Sequence, residues 1–439
     1  MTVRSQRPHR PSDAVGADAT GMPGGPVASR RTFLRITGGA GAAVVLSAAA
    51  GAPLASAADT RTRVYVLVTD GLRPDEVSAT ATPNLHALRS AGTWYPQARS
   101  LPVMETIPNH AMMMTGVRPD RSGVPANAVF DRAEGAVRDL DRPSDLRFPT
   151  VIERLNAAGY RTGTVLSKEY LFGIFGTRAT YRWEPSPTLP VTNHAPDQYT
   201  TDALIAMVDG ADPDLVFANL GDIDRVGHSD LTGSTTLAAA RTAALAATDA
   251  QVGRFVQHLE DSGRWPSCVL IVLADHSMDW SVPTRIVSLA PALEADPLLA
   301  GRVQTAQNGG ADLLYWTGPD GDRAAAVTRM REVVGAVAGV LSSHQPAELR
   351  LGPEAGDLVV YCRAGWRFSD PEVYSNPIPG NHGHPATEPI PFFVAGGSPR
   401  VAKGAVRSQT AHTVDVAPTV GAVFGLTAPI GGYDGTSRL

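Results

Sequence analysis

Arg63-Val64-Tyr65-Val66-Leu67-Val68-Thr69 is an unbroken β-branched and apolar run that stops at Asp70-Gly71. A run with no polar alternation reads as a strand covered on both faces. The same grammar returns in residues 162–167 (TGTVLS), 214–222 (DLVFANLGD) and 268–275 (CVLIVLAD). Between these runs, helical stretches are predicted over Thr82–Ala91, Thr150–Ala158 and Thr236–Leu259. Strands alternating with helices predict an α/β fold built on a doubly wound, mainly parallel sheet. Ligands of such sheets collect at the carboxyl ends of the strands.

After His276 the alternation loosens. Residues 281–375 hold one expected long helix, Asp322 to Leu341, between LLYWTG and GDLVVYCRAG. This stretch predicts a small insertion or cap of mixed α and β elements. GNHGHP then returns the chain to the core, before a strand in PIPFFVAGG and a last helix in TAHTVDVAPTVGAVFG.

Residues 1–57 stand outside this pattern. Ser29-Arg30-Arg31-Thr32-Phe33-Leu34-Arg35 matches a twin-arginine export signal, followed by a Gly/Ala-rich apolar run and the A-x-A site Ala55-Ser56-Ala57. The run is too weak and too rich in glycine for a membrane anchor, and no cysteine near the site suggests a lipoprotein. The expectation is a cleaved leader, an encounter with the twin-arginine export machinery, and a secreted or extracytoplasmic mature domain over residues 58–439 with no membrane span.

Composition changes the picture in two ways. Without residues 1–57 the chain carries 32 basic and 41 acidic side chains, a net charge of −9. That balance disfavours a nucleic-acid-coating role, and an anionic substrate must be attracted locally. Only two cysteines are present, Cys268 and Cys362, both in apolar β-like runs; a disulfide and a pair of buried thiols are both open.

The polar residues that interrupt the apolar runs cluster where strands end. They are Asp70, Asp224 and His228 in GDIDRVGHSD, Asp275 and His276 after VLIVLA, and His382 in GNHGHP. Together they put three Asp and three His at one sheet edge, beside Thr106 at the start of the helix in METIPNHAMMMTG. Three nitrogen or oxygen ligands with an open position suit a catalytic zinc, and two such ions clamp an in-line phosphoryl displacement. Thr106 is expected both to cap its helix and to face an anionic substrate at the helix N-terminus. Asp222 competes with Asp224, but Asp224 stands four residues before His228, on the same helical face. Asp222 would then orient a ligand His. His384 competes with His382; His110 is read as supporting a ligand, and His194, His344 and His412 as structural or exposed.

The order Asp70-Gly71, Thr82-Pro-Asn84, Thr106-x-Pro-Asn-His110, Thr115-Gly-x-x-Pro119, Asn127, Asp224-x-x-Gly-His228, Ala-Asp275-His276-Ser-Met and His382-Gly resembles the alkaline phosphatase superfamily. Within it, the chain is most similar to the nucleotide pyrophosphatase/phosphodiesterase branch, from about Arg63 to the C-terminus. The resemblance implies one zinc ion on Asp224, His228 and His382, and a second on Asp70, Asp275 and His276 in contact with Thr106. Manganese or cobalt would suit the same donors. It implies Thr106 as nucleophile, a phosphothreonine intermediate, and Asn127 as donor to a phosphate oxygen of a small phosphorylated substrate. Sulfatases of this fold need a Cys or Ser in a C/S-x-P-S/A-R pattern, which Thr106-Ile-Pro-Asn does not supply.

Lys168 is one of two lysines and follows a predicted strand. Phosphonoacetate hydrolases, a neighbouring branch, carry K-x-K there, where this chain has Lys168-Glu-Tyr170. Lys168 stands where the pocket should open, as a solvated strand-end lysine or as a contact, with Tyr170, to the substrate; Tyr170, Phe172 and Phe130 are candidates to face an ester substituent or nucleobase. The alternatives are a phosphonate or phosphomonoester hydrolase on the same site, or a non-catalytic exported binding module.

Overall fold

In the computed structural model, residues 61–439 are described except 191, 229–233, 283 and 371–377, together with the short strand Val27–Ala28. The expected leader otherwise lies outside the described residues. Among the described residues the main sheet has nine strands, in the order Val27–Ala28, Tyr181–Trp183, Thr162–Leu166, Leu215–Leu220, Arg63–Thr69, Cys268–Leu273, Phe392–Ala395, Thr93–Trp94 and Ala405–Val406. All run parallel except Phe392–Ala395, which opposes both neighbours. Arg63–Thr69, Leu215–Leu220 and Cys268–Leu273 are buried at every position, the signature of a sheet covered on both faces. One helical layer joins Pro83–Ala91, Asp197–Gly210 and Ser234–Asp261; the other joins Thr106–Thr115, Val151–Ala157 and Val416–Phe424. Thr150 starts one of these helices with a capping box, its Oγ1 accepting from Glu153 N and its own N–H donating to Glu153.

The insertion folds as a four-stranded antiparallel sheet, ordered Val303–Asn308, Ala311–Trp316, Leu358–Cys362 and Val340–His344, with the helix Arg323–Gly335. Side-chain alternation divides its central strands between two cores. Leu314, Trp316, Leu358, Val360 and Cys362 pack with Met330 and Val334 of that helix, whereas Leu313, Tyr315, Val359 and Tyr361 join the main core. The helix is shorter than the expected 322–341. It ends at Gly335, the chain turns at Gly339 with φ +95°, and residues 340–344 are a strand. A side chain at Gly339 would collide with the Trp366 ring, so the turn needs glycine. Cys268 and Cys362 are both free and buried.

Candidate active site

Asp70 and Asp275 follow Arg63–Thr69 and Cys268–Leu273, which are adjacent in register, so their carboxylates meet at the same sheet edge. Gly71 makes the approach possible. It adopts φ +70°, and its N–H donates to Asp275 Oδ1 at 3.2 Å, while a Cβ there would come within 3.1 Å of Asp224. Asp275 Oδ1 also accepts from His276 N, leaving Oδ2 3.4 Å from His276 Nε2. Asp70 Oδ1 lies 3.7 Å from the same ring nitrogen. Thr106 Oγ1 completes this half at 3.1 Å from His276 Nε2.

The second half rests on different elements. Asp224 and His228 lie on the helix Asp222–His228, with Asp224 Oδ1 3.3 Å from His228 Nε2. His382 arrives after the strand Gly380–Asn381, which pairs with Asp279–Trp280. Gly380 sits against the Gly227 backbone, where any side chain would clash. The His382 and His228 Nε2 atoms face each other at 3.0 Å, and His382 Nε2 is 3.7 Å from Asp224 Oδ1. His382 also stacks on His276, with ring centroids 3.6 Å apart, so Asp224, His276 and His382 too lie within 4.8 Å of one another. The competing residues turn elsewhere: His384 pairs with Asp279, and Asp222 holds His194 and the Asp197 N–H rather than a site histidine.

Asp70 Oδ1, Asp224 Oδ1 and Asp275 Oδ2 are buried without a hydrogen-bond partner, each aimed at imidazole nitrogens. Buried carboxylate oxygens left in this way carry a high desolvation cost unless a cation takes them. The donor set, carboxylate oxygen with imidazole nitrogen, suits a divalent transition metal. The residues therefore fit two metal groups that share His276, Asp70–Asp275–His276 and Asp224–His276–His382; His228, expected in the second, belongs to neither group, though its Nε2 lies 3.0 Å from His382 Nε2.

Two expectations need correction. Thr106 does not cap its helix: Glu105 occupies the extended N-cap position, Asn109 N bonds back to Glu105 O, and Thr106 is the first helical residue. This turns the Thr106 hydroxyl toward His276 instead of back onto the backbone. Lys168 does not open onto the pocket mouth. It is fully buried, with Nζ 2.7 Å from Asp70 Oδ2 and 2.8 Å from Asp224 Oδ2. One ammonium thus takes an oxygen from a carboxylate in each half and leaves the other oxygen of each for the imidazole side. Although burial acts to raise it, Lys168 and then His228 hold Asp224 well below the usual carboxylate range. Asp70 is raised instead, by burial and by Asp275.

Asn127 precedes the hairpin Ala128–Asp131/Ala136–Asp139. Its Oδ1 accepts from Ile107 N at 2.7 Å, and its Nδ2 donates to Glu105. Tyr170 stays near the carboxylates: its hydroxyl lies 3.3 Å from Arg225 Nη2 and its ring is 5.8 Å from Lys168 Nζ. Phe130 packs on Tyr315 and Phe172 faces Arg182. His110 is buried between Thr106 O and Asn219. Asn219, Arg241 and Glu105 were not singled out by the sequence pattern. Asn219 holds Asp70 Oδ2, and Arg241 binds the carbonyls of Gly71 and Ile223, one residue from Asp70 and from Asp224. A polar side chain inside LVFANL was the available signal for Asn219.

Residues 64–385 match the family model described as type I phosphodiesterase / nucleotide pyrophosphatase. The chain belongs to this family. Human ectonucleotide pyrophosphatase/phosphodiesterase family member 5 is 24% identical over 251 residues, 53% of this chain and 48% of that protein. Mouse family member 3 is 25% identical over 238 residues, 51% of this chain and 26% of that protein. The chain thus spans about half the length of these curated relatives, or less. The mouse member 5 structure superposes with TM-score 0.69 at 18% identity, covering 85% of this chain and 97% of that one. The same mouse protein, as an inactive threonine-to-alanine variant in complex with AMP, gives the same TM-score of 0.69. At that identity the likeness is one of fold.

Proposed function

We propose that this type I phosphodiesterase/nucleotide pyrophosphatase family member is a hydrolase of phosphodiester or pyrophosphate bonds, working in two in-line steps through Thr106. The observation that carries the proposal is the placement of the Thr106 hydroxyl, at a helix N-terminus and 3.1 Å from His276, beside carboxylate oxygens that no protein group satisfies. Asp70, Asp275 and His276 would hold one zinc ion, and Asp224, His228 and His382 the other. Bound there, the two ions would neutralise the phosphoryl oxygens and lower the pKa of the attacking hydroxyl.

In the first step Thr106 Oγ1 gives up its proton to solvent and bonds to phosphorus, while the P–O bond to the ester or pyrophosphate oxygen breaks and that oxygen leaves with the bonding pair. In the second, water loses a proton and bonds to phosphorus, the P–O bond to Thr106 breaks, and Thr106 Oγ1 takes up a proton. Asn127, its amide fixed by Ile107 N, donates a hydrogen bond where charge develops; losing such a donor costs about 10²–10³ in rate. The helix dipole at Thr106 favours the same anion. The inactive threonine-to-alanine relative in complex with AMP supports a threonine in this role and a nucleotide as substrate class. The buried Lys168, held by two carboxylates, weighs against a grip on phosphonoacetate and so favours the ester reading. Tyr170 is left as the aromatic beside the carboxylates to meet the substituent.

The test is kcat/KM of the zinc-loaded protein on bis-p-nitrophenyl phosphate, p-nitrophenyl phosphate and phosphonoacetate. The diester is expected to be preferred, and Thr106→Ala to lose about 10³ or more. Preference for the monoester or phosphonate would overturn the substrate class.

The twin-arginine pattern and the ecto-enzyme relatives support an extracytoplasmic mature chain, delivered by the twin-arginine machinery. No helix among the described residues is long and apolar enough to cross a membrane. Arg30→Lys with Arg31→Lys should hold the protein in the cytoplasm; unchanged export would sink this placement.

A further inference from the structure

One buried anion at the site, Glu105, has no task in the displacement itself. It is 3% exposed, next in sequence to Thr106, and bonds two residues of the site at once. Its Oε1 lies 3.1 Å from His382 Nδ1, and its Oε2 accepts from Asn127 Nδ2. Both partners donate. Asn127 presents its amide nitrogen because Oδ1 is taken by Ile107 N, and His382 Nε2 faces His228 and Asp224, which makes Nδ1 the N–H of the ring. His382 Nδ1 also lies 3.1 Å from Met104 O, so Glu105 shares that N–H with a backbone carbonyl while its other oxygen takes the Asn127 amide. The insertion closes the other side: Gly310 N donates to His382 O at 2.6 Å, and a Cβ at Gly383 would come within 2.9 Å of Glu105 Oε1. A fixed negative charge therefore sits on one hydrogen of the amide whose other hydrogen is free to meet a phosphoryl oxygen.

We propose that Glu105 is a positioning residue that sets the charge of the accepted phosphoryl group, admitting singly charged diesters over doubly charged monoesters. The inference rests on the reading of Thr106 and Asn127 as a phosphoryl-transfer site. Orientation follows from the two hydrogen bonds, and selectivity from Coulomb repulsion, which is larger for a dianion than for a monoanion in a water-poor site. Through His382 the same carboxylate strengthens a ligand of the second metal group, as carboxylates behind ligand histidines do.

Glu105→Gln removes the charge and keeps the size; Glu105→Asp keeps the charge and shortens the reach. Both are compared with the unaltered full chain for kcat/KM on bis-p-nitrophenyl phosphate and p-nitrophenyl phosphate. Zinc affinity is measured separately by competition with a chromogenic chelator. Glu105→Gln should narrow the diester-to-monoester ratio about tenfold. Glu105→Asp should hold that ratio within about twofold while weakening zinc binding about 10–100-fold. An unchanged ratio in Glu105→Gln, or an equal fall in Glu105→Asp, overturns the charge assignment; unchanged zinc affinity in both overturns the positioning role. Thr106-dependent turnover with an unchanged ratio defeats this inference alone. Absence of any Thr106-dependent turnover in the unaltered chain defeats the functional reading and this inference with it.

Discussion

The two halves of the candidate site are built by different means. Asp70, Asp275 and His276 stand on the ends of neighbouring parallel strands and are completely buried. The other half draws Asp224 and His228 from a seven-residue helix and His382 from a loop that hangs on the insertion through Gly310. His228 is partly exposed, with its side chain 22% accessible. Strand ends in register are positioned by the whole sheet, so the first half is as rigid as the core. The second half is positioned by a short helix, one loop and a few hydrogen bonds, and it gives way more easily. Lys168 and Arg241 each bond groups of both halves, and Glu105, beside Thr106, bonds His382.

The largest expected contrast comes from removing one proposed metal ligand in each half. Asp275→Asn should lower kcat/KM on a diester by about 10³ or more, because it disables the group that adjoins Thr106. His228→Ala should cost about 10² and be partly recovered by excess zinc, because two ligands remain. Equal losses without recovery would erase the distinction between the halves. A smaller effect probes the link between them. In Lys168→Met the Asp70 and Asp224 carboxylates lose their shared buried cation. Urea denaturation of the metal-free protein should show about 3–5 kcal/mol lost. Bound zinc should cut that loss at least by half, since it supplies the missing positive charge. The same loss with and without zinc would mean that Lys168 does not balance the charge of this site.

Much of the candidate site was legible because its clustered Asp and His residues interrupt apolar runs at strand ends. Asp70 after VYVLVT, Asp275 after VLIVLA and the four-residue spacing of Asp224 and His228 all mark places where the pattern changes. The parallel sheet was legible for the same reason, since both-face burial removes polar alternation. What local pattern does not encode is where a side chain points once distant segments meet. Lys168 follows its strand like a pocket residue, yet its ammonium lies among carboxylates that sit 98 and 56 residues away. Glu105 gave no signal because its partners, Asn127 and His382, reach it only through the hairpin and the insertion. The helix of the insertion ends at Gly335, short of the expected 322–341, because the chain turns at Gly339 with φ +95° into the strand Val340–His344.

The central claim is that Thr106 is covalently phosphorylated during turnover. A diester made chiral at phosphorus by sulfur and oxygen-isotope substitution reports this directly. Each in-line displacement inverts the phosphorus centre, so attack by Thr106 followed by attack by water gives net retention of configuration. Retention in the product is the predicted result; inversion would mean that water attacks the substrate in a single step and that Thr106 is not the nucleophile.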